Sequence, residues 1–238
     1  MSMRLDKYLC SCGLGTRSEV KKIIRSKRIK VNDITVDTSD CKVDESSKVT
    51  LDGKIMEYNR YTYIMLNKPM GCLSATKDNN KTTVTDLLEE KYKNIGLFPV
   101  GRLDRDTVGL VILSNDGDFA HNTLSPKKHI SKTYIAHIEG TLPDDAREIF
   151  NKGVILKDFT CKSADLIIEE VNDDYTKVRV TIQEGKYHQI KRMFFALGCR
   201  VVYLKRISFG DIHLDNSLKE GEYRLLNDSE MEFVRAVR

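Results

Sequence analysis

Paired cysteines, long apolar runs and nucleotide-binding glycine motifs are all missing from this 238-residue chain. The six cysteines, at positions 10, 12, 41, 72, 161 and 199, contain no C-x-x-C pair. No signal peptide accompanies them, so the expectation is reduced thiols in a cytoplasmic protein, not a disulfide framework. Cys10 and Cys12 lack neighbours that would complete a four-ligand zinc site. No apolar stretch approaches the ~18 residues of a membrane span. Neither G-x-x-x-x-G-K-[ST] nor G-x-G-x-x-G occurs, which removes support for a nucleotide phosphate cradle. The five histidines form no H-E-x-x-H pair, and Ser74, Ser114 and Ser125 lack a nucleophile-elbow context. There is no internal repeat and no low-complexity tract.

What is present is a sizeable apolar fraction, 40%, alongside 31% charged residues. The length allows one or two domains. The net charge of +4 says little, but its distribution says more. Residues 1–30 hold nine Lys/Arg against Asp6 and Glu19, whereas residues 31–60 are net acidic. A basic cluster of this kind is either a solvated helix face or a surface for polyanions, which release condensed counterions on binding.

The N-terminal segment, 1–58, reads as a small module. In "RLDKYLCSCGL", Leu5, Tyr8 and Leu9 fall at helical spacing, and Gly13 is a stop. "TRSEVKKIIRSKR" offers Thr16 or Ser18 as a cap, with Val20, Ile23 and Ile24 as an apolar stripe. Arg17, Lys21, Lys22, Arg25 and Arg28 lie opposite that stripe. A period-2 pattern around Asn32-Asp33 predicts a hairpin, since both residues tolerate positive φ. "MRLDKYL", "TRSEVKKIIRSKRIKVND" and "ITV" resemble the S4 RNA-binding domain, which implies docking on structured RNA through shape and phosphates. The chain departs from that pattern at Asp33, where the family usually has Gly.

After a polar joint at 56–62, a second domain is expected over 62–238. Strands are predicted at 63–71, which runs into a Lys-Pro-x-Gly turn, and at 95–100, 109–114, 132–140, 176–185 and 200–214. Helices are predicted at 83–92, after 114–118, and at 187–198, where Gly198 ends the last. Long strands with helices at irregular intervals predict an α+β domain with a mixed, mostly antiparallel sheet.

Within it, "GRLDRDTVGL" (101–110) sets Arg102, Asp104, Arg105 and Asp106 between two apolar runs. Taken alone, the loop is open to three readings: an ion-paired turn, an Asp-x-Asp metal site, or a reactive carboxylate held by local cations for an anionic substrate. "NDGD" (115–118) reads as a tight turn, not a calcium loop, because the rest of such a loop is missing. With Ile190, Met193, Phe194 and Leu197 as the buried face of the last helix, Lys191 falls at its border. There it either snorkels or reaches inward to a carboxylate, while Arg192 turns further towards solvent.

The stretch "GRLDRDTVGLVILSNDGDFAHNTLSP" resembles the catalytic motif of pseudouridine synthases. "YIMLNKPMG", "KTYIAHIEG", "EGKYHQIKRMFFALGCRVVYLKRISFG" and "LKEGEYRLL" match the same family in order. The resemblance implies an S4-like domain followed by a pseudouridine synthase catalytic domain. It implies isomerisation of uridine in ribosomal RNA, 16S rRNA of the small subunit being favoured by the absence of a long basic C-terminal tail. A large-subunit enzyme of the same branch and a noncatalytic ribosome-assembly factor are the alternatives. Residue by residue, it places the essential aspartate at Asp104, the uracil-contacting tyrosine at Tyr134 and the aspartate's basic partner at Lys191, with Arg192 as the weaker candidate. Arg102 supports the loop and is implied as meeting a backbone phosphate, and Lys68 is expected to contact RNA. His188 and Gln189 either line the site and contact RNA or cap the last helix, and Arg4 joins the basic N-terminal face. Asp106 is expected to be loop structure. The resemblance implies no cofactor and no metal. The partner expected is ribosomal RNA or a small-subunit assembly intermediate, met by a monomer.

Overall fold

The computed structural model describes residues 2–44 and 46–238. The chain opens with β1 (Met3–Arg4), α1 (Leu5–Ser11) and α2 (Arg17–Arg25). Thr16, not Ser18, caps α2: its hydroxyl accepts from the Glu19 amide, and the Glu19 carboxylate takes the Thr16 amide in return. β2 (Ile29–Val31) and β3 (Ile34–Val36) form the expected hairpin, with Asn32 and Asp33 both left-handed at φ 50° and 66°. The Asn32 side chain accepts from the Lys48 amide, which anchors the turn that Asp33 makes where glycine is usual. β4 (Lys42–Val43), β5 (Val49–Leu51) and β6 (Lys54–Ile55) complete the module. β4 pairs with β1, and the remaining strands form a sheet in the order β3-β2-β5-β6. Leu5, Tyr8, Leu9, Val20, Ile24, Ile29, Val43 and Val49 make a core of their own.

The joint at 56–62 contains no helix or strand. It is tied at one end by the Tyr8 hydroxyl on the Met56 carbonyl and by Tyr8–Tyr58 stacking. Beyond it come β7 (Tyr63–Lys68), α3 (Glu90–Lys93), β8 (Phe98–Val100), β9 (Val108–Ser114) and α4 (Gly117–Leu124). There follow β10 (Lys132–Glu139), α5 (Ala146–Lys152), β11 (Asp165–Val171), β12 (Thr176–Ile182) and α6 (Gln189–Ala196). β13 (Arg200–Phe209), β14 (Ile212–His213), β15 (Tyr223–Leu225) and α7 (Asp228–Val237) end the chain.

The main sheet runs β11-β12-β10-β13-β9-β7-β15, with β8 on β9 and β14 on β13. Only β13–β9 is parallel, so the sheet is mixed and mostly antiparallel. That parallel contact depends on Gly109 opposite Arg206. A Cβ there would lie 2.3 Å from the Arg206 carbonyl, and φ is 97°. One apolar cluster gathers Ile64, Leu66, Val111, Tyr134, Val180, Ile190 and Phe194; a second gathers Met65, Leu110, Ile112, Phe119 and Phe233.

The helix predicted at 83–92 shrinks to α3. Thr83 binds Asp86 through both amide and hydroxyl, Val84 donates to the Leu73 carbonyl, and Thr85 to that of Thr76. The Thr83–Asp86 pair closes a local turn, and the bonds to Leu73 and Thr76 tie that turn down in place of a first helical turn. The "NDGD" turn becomes the start of α4: Asp116 accepts from the amides of Asp118 and Phe119. Its buried carboxylate also meets the Tyr63 hydroxyl at 2.6 Å and Arg238 at 3.1 Å. α5, β11, β15 and α7 lie outside the elements expected from sequence.

Candidate active site

The charged loop 101–107 joins β8 to β9, and its backbone is pinned from below. Gly101, at φ 80°, turns the chain out of β8. Lys68, at the end of β7, is completely buried. Its ammonium donates to the carbonyls of Thr107 at 2.8 Å, Pro69 at 3.1 Å and Arg105 at 3.3 Å. The Gly71 amide donates to the Arg105 carbonyl, and Arg105 Nε returns a bond to Gly71. Ser74 Oγ both accepts from the Leu103 amide and donates to the Leu103 carbonyl, at 3.1 Å each. The "NKPMG" turn is therefore the floor of the loop. This corrects the expectation that Lys68 contacts RNA: with no exposed surface it cannot. Burial drives its ammonium below the usual lysine range, and the three carbonyls satisfy the charge.

Asp104 projects from this platform, partly exposed, towards α6. Lys191 Nζ lies 3.3 Å from Asp104 Oδ2 and 2.5 Å from Asp106 Oδ1. His188 Nε2 lies 3.6 Å from Asp104 Oδ1. Burial pushes the Asp106 carboxyl up, but the Lys191 hydrogen bond and charge outweigh it and leave that group below the usual carboxylate range. Arg102 and Arg105 form no ion pair with either aspartate among the described residues. The side chains that face Asp104 are Lys191 of α6 and His188 at its entry, not the arginines of the loop.

Helix α6 presents Lys191 because Ile190, Met193 and Phe194 are buried beside it. Its start is set by His188, left-handed at φ 48°, and by Gln189. Gln189 is buried, accepting from the Lys186 amide at 3.0 Å and donating to Glu184 at 2.6 Å. It thus clamps the turn that carries His188. Arg192 turns away from Asp104: it pairs with Asp158 and lies over the Phe159 ring.

Tyr134 stands on β10 at 7% exposure, paired across the sheet with Val180 and Arg206. Tyr134, Asp104, Lys191, His188, Gln189 and Arg102 share one small pocket, about 50 Å3, that opens beside Leu103 and Leu204. A carboxylate lining a pocket with an aromatic wall suits attack on, or proton removal from, a sugar whose base lies against that wall. Among the described residues, no group of three or more His, Cys, Asp or Glu is arranged to hold a metal.

The basic N-terminal face divides in two. Arg4 pairs with Asp6, and Arg28 with Asp52. Arg17, Lys21, Lys22 and Arg25 form no ion pair among the described residues, and Lys21 and Arg25 border a shallow hollow with Arg4. Ser74 and Tyr187 line a neighbouring hollow with Asp104, and Tyr187 stacks on His188. Neither was anticipated as part of the site, nor were Lys132 and Arg206 beside Tyr134. Lys132 is the lysine of "KTY", and Tyr187 and Arg206 lie within the 184–210 stretch, positions that could have flagged them.

Comparison with known proteins agrees with this geometry. A profile of the RNA pseudouridylate synthase family matches residues 62–196, and an S4 domain profile matches residues 3–49. The chain is 42% identical to the ribosomal small subunit pseudouridine synthase A of Yersinia pestis, over 98% of this chain and 99% of that one. It is 40% identical to an uncharacterised RNA pseudouridine synthase of Bacillus subtilis, over 98% of each. A crystal structure of a pseudouridylate synthase superimposes with a TM-score of 0.67 at 36% identity, covering 98% of this chain and 99% of the other. With its catalytic half and its whole length both matched, the chain belongs to the RNA pseudouridylate synthase family.

Proposed function

We propose that this enzyme converts a uridine of small-subunit ribosomal RNA, 16S rRNA, to pseudouridine, with Asp104 as the reactive carboxylate. The observation that carries the reading is the Asp104–Lys191 pair at the base of the pocket walled by Tyr134. The family likeness and the names of the full-length relatives support the substrate class.

The reaction breaks the N1–C1′ bond, with its electron pair leaving on the uracil. The ring turns, C5 bonds to C1′, the C5 proton is lost and N1 gains one, so the product is an isomer. The Asp104 carboxylate either attacks C1′ or removes the C2′ proton to start this sequence. Lys191 donates to that carboxylate and aims it. A uridine within folded RNA reaches Asp104 only when flipped from its stack, and Tyr134 gives the displaced ring an apolar face. Arg102 and His188, at the mouth, meet the backbone or sugar. Arg17, Lys21, Lys22 and Arg25 supply a sequence-independent grip on RNA phosphates. The protein works as a monomer in the cytoplasm, on naked RNA or on an assembly intermediate.

The test incubates wild type and Asp104→Asn with unmodified 16S rRNA and with pre-assembled subunits, then maps carbodiimide-dependent primer stops. Wild type should give a stop and the variant none, a loss of ~10²–10⁴-fold in rate. Stops that persist with Asp104→Asn would overturn the catalytic assignment. No stop with either would favour a noncatalytic binding factor.

A further inference from the structure

Tyr134 also borders a second cleft, about 560 Å3, that Asp104 does not reach. Its inner wall holds two cations folded into the protein: Arg206 at 2% exposure and Lys132 at 9%. Arg206 sits opposite Tyr134 in the β10–β13 register, under the β9–β13 contact that Gly109 permits. Its Nε donates to the Leu110 carbonyl at 2.8 Å, while Nη2 is buried with no hydrogen-bond partner. Lys132 donates to the Ile130 carbonyl at 2.8 Å. Both cations lie 5.3 Å from the centre of the Phe209 ring, from which they draw modest stabilisation.

Neither cation forms an ion pair among the described residues. Glu184 also lines the cleft, but its carboxylate accepts from the Lys162 amide at 2.9 Å and from Gln189 at 2.6 Å. Two neighbouring buried cations without a carboxylate are costly, and the ordinary relief is an anion from outside. The cost is visible at Lys132, whose ammonium is pushed down to about 8 by burial and by the Arg206 charge. Lys162 and Lys186, both exposed, stand at the rim and extend the positive field outward.

We propose that this cleft is an anion subsite, in which Arg206 and Lys132 bind a phosphodiester of the RNA strand next to the uridine in the Tyr134 pocket. This rests on the reading of the enzyme as one that acts on RNA. A guanidinium beside an ammonium suits the oxygens of one phosphate, and contacts of this type fix register without reading sequence. The subsite would set how far the strand is drawn past Tyr134, and so which nucleotide faces Asp104.

The test measures binding of fluorescein-labelled decauridylate to the full chain across a KCl series, for wild type, Lys132→Met and Lys132→Arg. The methionine variant should bind several-fold more weakly and lose about 0.7 from the slope of log K against log salt. Lys132→Arg should keep the wild-type slope. An unchanged slope in a Lys132→Met protein with wild-type melting, or no binding by wild type, overturns the proposal. Should the methionine variant fail to fold, acetic anhydride labelling of the wild type decides. Protection of Lys132 by saturating decauridylate supports the subsite, and equal labelling overturns it. Primer-stop mapping on the same wild-type preparation keeps the two readings apart. Conversion with no slope effect sinks the subsite alone; a slope effect with no conversion sinks the isomerase reading alone.

Discussion

The cations of α2 stand in water, whereas those around the 101–107 loop are folded into the protein. Arg17, Lys22 and Arg25 are exposed on a short capped helix whose other side packs Val20 and Ile24. Holding them there costs little, because water solvates each charge and the apolar stripe alone anchors the helix. Lys68, Lys132 and Arg206 are buried, and Lys191 is about four-fifths so. Each keeps its place through named partners: three carbonyls for Lys68, two carboxylates for Lys191, one carbonyl and a ring for each of the others. Exposed cations attract any polyanion and are screened by salt. Buried ones act over one or two bonds and fix a geometry. Removing charge from the first region should therefore alter how tightly RNA is held. Removing Lys68 or Lys191 should alter whether the chemistry proceeds, while Lys132 and Arg206, proposed to meet a phosphate, should affect binding as well.

Four substitutions break or sharpen that contrast. Lys191→Met removes the ammonium from Asp104 and should lower kcat by ~10²–10³-fold while leaving RNA affinity within about two-fold, read by single-turnover conversion and filter binding. Lys68→Met should unfasten the loop from beneath. It leaves the Thr107 carbonyl without its Lys68 donor, at a cost of ~1–3 kcal/mol in chemical denaturation, and lowers conversion although Lys68 touches no RNA. A fully active Lys68→Met protein would show that the loop holds its shape without this anchor. Replacing Lys21, Lys22 and Arg25 together with Ala should reduce the salt slope of RNA binding by ~2, raise KM and leave kcat at saturation unchanged. Stability should move by less than ~0.5 kcal/mol per site, since these side chains make no ion pair. Arg192→Ala should change conversion least, by less than about two-fold. Its guanidinium is engaged with Asp158 and Phe159, and a loss as large as that of Lys191→Met would reassign the partner of Asp104.

The elements read best from sequence are those with local causes. The Asn32-Asp33 hairpin, the Thr16 cap and the Gly198 stop each depend on two to five neighbouring residues, and each is present. The helix expected over 83–92 is replaced at its start by a local Thr83–Asp86 turn, which Val84 and Thr85 tie to Leu73 and Thr76, partners outside the helical window. α5, β11 and α7 escaped for the converse reason: their apolar faces are short and gain definition from partners distant in sequence, β12 for the strand β11. In the site, the border position of Lys191 was legible as a choice between snorkelling and reaching inward, and its pairing with Asp104 and Asp106 selects the second. The charged loop suggested guanidinium partners for Asp104 because Arg102 and Arg105 are adjacent in sequence. Adjacency in a turn points neighbours apart, so the partners come from a helix some 85 residues later.

By itself the sequence determined the two modules, the basic face of α2, the α+β character of the larger part and the residue types of an RNA-modifying site. These follow from periodicity, capping chemistry and ordered motifs, all properties of short segments. Only the tertiary structure decided which charges are buried. It converted Lys68 from an RNA contact into the fastening of a loop, turned Arg192 away and set Lys132 and Arg206 side by side without a carboxylate. Burial depends on what a distant strand brings alongside, and the cost or use of a charge is fixed by that neighbour, not by the residue that carries it.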